Sequence, residues 1–299
     1  MRIVAAIGGN ALIPRGSAPS AAVQLKNVEE AASALAALAP SNQLVVTHGN
    51  GPQVGLLAHQ SAAVEGVDPY PLDILGAESD GMIGYLVARE LRERLGDREV
   101  AALLTMVEVD PADPAFEAPT KPVGVLHPEE RLAELVERFG WTMIGVPGGV
   151  RRVVPSPAPL AIPELPTIRL LLEAGAVVVC GGGGGIPVVR TAAGWAGVEA
   201  VVDKDRLSAL LAAQLGADRL LLLTDVSAVL ADFGTADARR IEHLSVDEID
   251  PSVFAVGSMG PKVEAAAWFT RTTGKPSAIG ATTEAAAVLG GTAGTRISR

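Results

Sequence analysis

The stretch that decides the fold reads Val177-Val178-Val179-Cys180, then Gly181 to Gly185, then Ile186-Pro187-Val188-Val189. A β-branched run that enters a polyglycine turn predicts a buried strand ending in a loop made of backbone alone. Glycine allows positive φ and has no side chain, so backbone N–H groups can approach an anion closely. The stretch therefore predicts a phosphate-binding loop. The alternative is a flexible hairpin, but five glycines lose more chain entropy than an idle turn requires.

Two common nucleotide-binding motifs are missing. No G-x-x-x-x-G-K-[ST] occurs in the sequence, so this is not a Walker A protein. The glycines lead into residues 186–189, which read as extended, so the helix expected of a G-x-G-x-x-G site is also absent. The acidic residues Asp203 and Asp205 lie further along, but without the strand–turn–helix context their spacing carries little meaning.

Outward from this loop, strands, glycine loops and helices alternate along the chain. Predicted strands cover residues 2–7, 44–47, 100–108, 198–202, 220–223 and 277–279. Predicted helices cover residues 21–39, 128–139, 167–174, 263–271 and 283–289, with others from about 54, from Gly76 to about 95, and after Asp205. This alternation predicts an α/β fold with a mainly parallel sheet. Ligands of such sheets bind beyond the carboxyl ends of the strands.

Further glycine loops follow the first two strands. They are Gly8-Gly9-Asn10 and Gly49-Asn50-Gly51. Between residues 110 and 166 the composition changes, and this segment is rich in proline and contains Lys121 and the pair Arg151-Arg152. Long insertions with little regular structure are often functional, so we interpret this segment as a projecting lid. The simpler alternative is a solvent-exposed segment without a function of its own.

Composition narrows the class of protein. The 299 residues are 48% hydrophobic, which is ample for a core, and the net charge is −10. Without a basic stripe, nucleic acid and anionic membranes are poor partners. The single Cys180 excludes an internal disulfide framework and predicts a small core residue in a reducing compartment. The chain opens on a strand with no signal-peptide layout, and no apolar run could span a membrane, so we expect a cytoplasmic protein.

Lysines at predicted loop ends suggest phosphoryl transfer, because positioned cations and backbone donors supply most of that catalysis. They are Lys121, Lys204 and Lys262. The carboxylates flanking Lys204 could hold it charged for catalysis; equally, Asp203-Lys204-Asp205 could be a helix cap, with Asp205 as the capping residue and a surface lysine. Lys262 near a helix N-terminus opposes the macrodipole, a cost that a bound anion would relieve.

Other candidate groups have weaker support. His48 follows a strand and is either a general base or a hydrogen-bonded core histidine. No Cys/His cluster suggests a structural metal, so Mg²⁺ would arrive with the nucleotide. Aromatic residues make up only 3% of the chain, which argues against base stacking as a main interaction.

Taken together, several segments resemble the carbamate kinases of the amino acid kinase superfamily. The resemblance runs in order over nearly the whole chain, in segments 6–12, 46–55, 113–124, 151–157, 181–187, 197–205 and 257–265. It implies an open three-layer αβα sandwich, an acceptor lobe at 1–166 that includes the lid at about 110–166, and a nucleotide lobe at 167–299. It also implies a homodimer and the reaction ATP + carbamate ⇌ ADP + carbamoyl phosphate with Mg²⁺, which in arginine fermentation usually runs towards ATP.

The resemblance also implies roles for individual residues. Carbamate and the transferring phosphoryl group would bind Gly8, Gly9, Asn10, Gly49, Asn50 and Gly51. Catalytic charge would come from Lys204 and Lys262, oriented by Asp205, and from Lys121 when the lid closes. The nucleotide would lie along Gly182, Gly183, Gly184, Thr224, Asp225 and Met259.

Two positions depart from the family pattern. Asp80 stands in Ser79-Asp80-Gly81 where the family usually has glutamine, and Val150 stands before the arginine pair where an aromatic residue is common. An added carboxylate near an anionic substrate could weaken its binding. The alternative function is therefore a kinase of the same fold acting on another small acid or a phosphonate.

Overall fold

The computed structural model describes residues 1–13, 20–64, 66–235, 237–249, 254 and 259–299, and only the backbone of Asn10 and Ala11. No helix within these residues is both long and apolar enough to cross a bilayer.

The strands of the described residues fall into four sheets. They are β1 (Arg2–Ile7), β2 (Gln43–His48), β3 (Val100–Ala102), β4 (Met106–Val109), β5 (Lys121–His127), β6 (Met143–Val146), β7 (Gly149–Val154), β8 (Pro159–Ala161), β9 (Val177–Val179), β10 (Ile186–Thr191), β11 (Gly194–Gly197), β12 (Arg219–Thr224), β13 (Val229–Ala231), β14 (Arg239–Ile241), β15 (His243–Ser245), β16 (Ser277–Ala281) and β17 (Thr295–Ser298).

The α-helices of the described residues lie mostly between these strands. They are α1 (Gly9–Leu12), α2 (Ala21–Ala36), α3 (Gly51–Ala62), α4 (Leu72–Leu95), α5 (Leu132–Phe139), α6 (Leu165–Glu173), α7 (Lys204–Leu215), α8 (Met259–Thr273) and α9 (Ala285–Gly290). Helix α4 begins one turn before the predicted Gly76, and α2 ends three residues before the predicted end.

The main sheet has eight strands in the order β15-β17-β16-β12-β1-β2-β9-β3, and every neighbouring pair is parallel except β16 with β17. Its central strands are apolar on both faces, because helices cover both sides. Along β1, for example, Ile3 and Ile7 pack in the layer with α2, α4 and α9, whereas Val4 packs with α6, α7 and α8. The prediction of a three-layer αβα sandwich with a mainly parallel sheet is confirmed.

Two predicted strands are wrong. Residues 100–108 form two strands, because the chain leaves the main sheet between them and β4 joins β10 in a second sheet, β11-β10-β4-β8. Residues 198–202 form no strand; the strand is β11, which pairs antiparallel with β10. The apolar pattern there reflects burial of Ala200 and Val202 rather than sheet pairing.

A third sheet, β5-β7-β6, lies within the predicted insertion together with α5. We call these three strands the lid sheet. It approaches α3 closely, because a Cβ built on Gly55 would lie 3.0 Å from the Cα of Gly124. By contrast, β8 belongs to the second sheet, so only part of the 110–166 segment is in the lid sheet. The predicted lobe boundary at residue 166 stays a prediction.

Candidate active site

The five-glycine loop is a tightly packed turn rather than a flexible hairpin. All five residues are buried, and Gly182–Gly184 form a single 3₁₀ turn. Gly181, Gly183, Gly184 and Gly185 have φ of 64°, 67°, 97° and 82°, a region that side chains disfavour. Backbone conformation therefore requires glycine at four of the five positions.

Close contacts give a second reason for the glycines. A Cβ on Gly182 would lie 2.0 Å from Asp80 Oδ1, and one on Gly184 would lie 2.1 Å from the carbonyl oxygen of Val202. At Gly183 the obstacle is the Asn50 amide, 2.1 Å away. The loop thus touches the second glycine loop on one side and the residues leading into α7 on the other.

The remaining glycine loops meet at the same edge of the sheet. A Cβ on Gly49 would lie 2.6 Å from Gly9 N, and Gly8 N donates to the Leu223 carbonyl at 3.0 Å. A Cβ on Gly8 would lie 3.8 Å from Thr224 Oγ1. Neighbouring parallel strands β12, β1, β2 and β9 end side by side, so the loops that follow them converge, as predicted from the alternating pattern.

The start of α7 gathers the lysines around one carboxylate. Asp205 Oδ1 lies 2.5 Å from Lys204 Nζ, and Asp205 Oδ2 lies 3.0 Å from Lys262 Nζ. The three side chains are 4%, 11% and 14% exposed, so Lys204 is not a surface lysine. The capping residue is Asp203, which accepts from the amides of Asp205 and Arg206, and the prediction of Asp205 as the cap is wrong.

Lys121, the first residue of β5, reaches the same cluster. Its Nζ lies 2.7 Å from Asp203 Oδ2. With Lys204 and Lys262, the cluster holds three lysines against the two carboxylates of Asp203 and Asp205, a surplus of one positive charge. Such a surplus beside backbone loops suits an anion with developing negative charge.

The neighbouring charges alter the acidity of these groups. Burial alone would raise the pKa of Asp203, but Lys121 and Lys204 outweigh it and hold that pKa well below its usual range. The pKa of Asp205 is likewise lowered, because Lys204 and Lys262 outweigh its burial. Burial lowers the pKa of Lys204, Asp205 opposes this, and the charge of Lys262 adds to it. An anion bound beside Lys204 would favour its charged form.

His48 and Cys180 are core residues. The His48 side chain is 0% exposed and lies with Nε2 3.4 Å from Asp80 Oδ1, which favours the core-histidine interpretation over a general base. Cys180 is fully buried, and burial raises the pKa of its thiol, with the charges of Asp80 and Glu164 adding to the effect. Val150, the other departure from the family pattern, is buried in the lid sheet opposite Gly145 and His127.

Among the described residues, Thr224, Asp225 and Met259 form no side-chain hydrogen bond or ion pair with the lysine cluster. Thr224 Oγ1 donates to the exposed Asp225 at 3.0 Å, and Met259 is the first residue of α8. The side chain of Asn10 and the motif residues 257–258 lie outside the described residues. Their roles stay predictions.

Sequence reasoning missed the groups that hold the loops in place. Ser79 Oγ accepts from the Asn50 amide at 2.8 Å, and Thr105 Oγ1 accepts from Gly181 N at 2.9 Å. Thr105 lies where the chain passes from β3 to β4, so the break in the predicted strand serves the glycine loop. No local signal could have identified this bond, because its partners lie 76 residues apart.

An ion pair between the buried Arg152 and the half-exposed Glu199 joins the lid sheet to the main body. Arg152 Nη2 donates to Glu199, and Glu199 also accepts from Leu72 N at 2.8 Å. The Arg152 guanidinium lies 4.6 Å from the centre of the Trp141 ring. Behind this contact, a cavity of about 100 Å³ lies between α3 and the lid sheet, where His59 and His127 are among its walls.

We expect the free energy of unfolding to fall in mild acid, because His127 binds a proton less readily in the folded protein than in the unfolded chain. Burial, with the charges of Arg131 and His59, lowers its pKa from the ordinary 6.5, while Glu134 opposes this. The unfolded chain therefore binds the proton first as pH falls below 6.5, and the folded state loses stability in that window. Thermal unfolding of the wild type and His127→Gln between pH 8 and 5.5 should show a shallower pH slope for the variant.

A matched control for this slope is His243→Gln, a substitution at an exposed histidine of β15. Equal slopes for His127→Gln and the wild type would contradict the assignment to His127.

The site and the comparisons identify the class of protein and then the family. Glycine loops at the ends of parallel strands and a lysine cluster beside them are the parts that phosphoryl transfer requires, and the match to a kinase family makes the protein an ATP-dependent phosphotransferase. The amino acid kinase family model matches residues 1–280. A carbamate kinase of Haemophilus influenzae is 47% identical over 301 residues, 100% of this chain and 97% of that protein.

Further relatives extend the likeness. A carbamate kinase of Pyrococcus horikoshii is 40% identical over 310 residues, covering 99% of both chains. The solved structure of Giardia lamblia carbamate kinase bound to AMP-PNP has a TM-score of 0.92 at 39% identity, over 99% of this chain and 98% of that one. The chain belongs to the amino acid kinase family and, within it, to the carbamate kinases.

Proposed function

We propose that the protein catalyses reversible phosphoryl transfer between ATP and carbamate, giving ADP and carbamoyl phosphate. The observation that carries this is the sharing of Asp205 by Lys204 and Lys262, at the start of a helix that the five-glycine loop touches. The 40–47% identity to carbamate kinases over the full chain supports the choice of acceptor.

In the proposed reaction, a carboxylate oxygen of carbamate attacks the γ-phosphorus while the bond to the β–γ bridging oxygen breaks. No proton has to move in this step, which agrees with a site whose only nearby histidine, among the described residues, is fully buried. Catalysis then consists of holding the two substrates in line and stabilising the charge that spreads over the transferring oxygens.

We assign the acceptor side to the two convergent loops, Gly8-Gly9-Asn10 and Gly49-Asn50-Gly51, within the proposed acceptor lobe of residues 1–166. The nucleotide side would use Gly182, Gly183, Gly184, Thr224, Asp225 and Met259, within the proposed lobe of 167–299. The contact of Gly183 with Asn50 supports this arrangement, because it brings the proposed acceptor and nucleotide loops against each other.

The lysines would supply the charge. Lys204 and Lys262 flank Asp205 and would stabilise the transferring phosphoryl group, and Asp205 would orient both amines. Lys121 comes from the lid sheet, and its bond to Asp203 would be exchanged for a substrate oxygen when ligands bind. The surplus positive charge of the cluster favours that exchange.

We propose that Mg²⁺ enters with the nucleotide. Within the described residues no group of three His, Cys, Asp or Glu side chains is suited to a metal ion. The carboxylates of Asp203 and Asp205 are already bonded to lysines, which leaves the ion mainly to phosphate oxygens. When bound, it would neutralise part of the phosphate charge. A homodimer in the cytoplasm completes the proposal; the buried, unpaired Cys180 is compatible with a reducing compartment.

The second candidate is a kinase of the same fold acting on another small acid or a phosphonate. Asp80 is the observation that favours it, because its carboxylate lies beside the five-glycine loop, where the family usually has a neutral side chain.

The deciding experiment is ATP formation from ADP and carbamoyl phosphate with Mg²⁺. We expect rapid turnover with carbamoyl phosphate and little with acetyl phosphate, measured by a coupled hexokinase assay. A mixture without enzyme controls for the spontaneous decay of carbamoyl phosphate. ADP binding without turnover would reject carbamate as the acceptor and favour the second candidate, a kinase acting on another small acid or a phosphonate.

A further inference from the structure

His48 and Asp80 form a buried pair of titratable groups that the proposed chemistry does not use. Their side chains are 0% and 3% exposed, and His48 Nε2 lies 3.4 Å from Asp80 Oδ1. Within the part of the chain that the structure describes, Asp80 Oδ2 has no hydrogen-bond partner. His48 Nδ1 lies 3.3 Å from the Gly49 carbonyl, inside the proposed acceptor loop.

A carboxylate in this position is costly unless an opposite charge faces it. Burial of a charge that lacks a partner is among the largest destabilising effects known in proteins. Cys180 and Glu164 are close enough to feel the charge of Asp80, and neither can supply positive charge. Burial raises the pKa of the Glu164 carboxyl, and the charge of Asp80 adds to the rise. Among the described residues, His48 is the only basic side chain with a nitrogen within 4 Å of the Asp80 carboxylate.

The pair also lies directly beneath the five-glycine loop. A Cβ on Gly182 would be 2.0 Å from Asp80 Oδ1 and 2.4 Å from His48 Cε1. Because Gly182 has no side chain, any net charge on the pair lies directly against the backbone of the loop. In so buried a place the field is weakly screened, so it acts on an anion held by the loop amides.

We propose that His48 is a positioning residue that neutralises the buried carboxylate of Asp80 and thereby keeps the five-glycine loop able to accept an anion. The proposal rests on the function proposed above, because the anion in question is the phosphate of nucleotide or carbamoyl phosphate. Opposite charges on His48 and Asp80 would cancel, whereas loss of His48 leaves the Asp80 carboxylate under the loop without that partner.

The effect of Asp80→Asn in the His48→Asn background distinguishes charge compensation by His48 from simple packing. If His48 only fills space, removal of Asp80 as well should add a second defect. If His48 compensates charge, the Asp80→Asn change should suppress the defect of His48→Asn, because the charge that needed compensation is gone. The interaction energy between the two substitutions is therefore expected to be close to zero for packing and compensating for charge neutralisation.

The test is a double-mutant cycle of the wild type, His48→Asn, Asp80→Asn and the double variant. We expect His48→Asn to raise the KM for carbamoyl phosphate and the Kd for ADP by about tenfold or more, because the negative charge of Asp80 would then repel the phosphate of either ligand. The double variant should recover most of that loss. His243→Asn, at an exposed histidine, is the matched control for the substitution itself.

A double variant as impaired as His48→Asn, or more so, overturns the proposal and assigns His48 to packing. If His48→Asn and His48→Gln both fail to fold, recovery of folding by Asp80→Asn supports the proposal, and no recovery overturns it. Calorimetric ADP binding reads the cycle without catalysis, so a wild type that binds ADP but leaves carbamoyl phosphate unchanged rejects the proposed function alone.

Discussion

Replacement of Lys204 by alanine is expected to lower kcat for ATP formation by on the order of 10²–10³-fold, the usual loss when one charge contact to the transition state is removed. Lys204 shares Asp205 with Lys262, and its removal takes the surplus positive charge of the cluster to zero. Because this charge acts mainly as the phosphoryl group transfers, KM for ADP should change much less than kcat. Steady-state kinetics of the coupled assay measure both.

The matched control is Lys275→Ala, at a half-exposed lysine paired with Asp218 at 3.6 Å. Thermal unfolding of both variants guards against a loss of fold, because Asp205 keeps Lys262 as a partner when Lys204 is gone. A kcat for Lys204→Ala within threefold of the control would contradict the role assigned to this lysine.

Gly184→Ala is expected to cost about 3 kcal/mol or more in free energy of unfolding, from the sum of backbone strain and overpacking. Gly184 has φ of 97°, and its new Cβ would lie 2.1 Å from the carbonyl oxygen of Val202. The obstacle is backbone, so it cannot rotate aside. Whatever protein folds should also lose most of its activity, because the shift would displace Asp203 and with it the contact to Lys121.

Gly216→Ala is the control for backbone strain, because Gly216 has φ of 65° at the end of α7 with nothing within 4 Å of a built Cβ. It should cost only about 1 kcal/mol. Urea unfolding measures the loss in free energy of unfolding for each variant, and the difference gives the cost of the collision with Val202. Equal m-values check two-state behaviour. Equal losses for Gly184→Ala and Gly216→Ala would mean that the loop is looser than its contacts indicate.

Part of the site could be predicted from the sequence because its signals are local. A glycine run after a β-branched strand, or a lysine between two aspartates, is visible within a few residues. The alternative that made Asp205 the helix cap is wrong for a physical reason. Two aspartates precede the same apolar run, and spacing alone does not distinguish the residue that accepts helix amides from the one that faces the lysines. Only the side-chain bonds of Asp203 and Asp205 make that distinction.

The strand errors have the same origin. Apolar residues at 100–108 and 198–202 show that the segments are buried, but not which strand they pair with. The chain changes sheet near Thr105, whose side chain accepts a hydrogen bond from Gly181, 76 residues further along the chain. Ala200 and Val202 are apolar because they are buried, although neither belongs to a strand.

The sequence by itself determined the α/β class, the positions of the glycine loops and the lysines that follow them, because hydrophobic period and the demand for positive φ act on neighbouring residues. Only the tertiary structure decided which charges meet. Lys262 reaches Asp205 across 57 residues, Lys121 reaches Asp203 across 82, and His48 faces Asp80 beneath the loop. Such pairings depend on how the sheet and helices pack, and no local pattern in the chain encodes them.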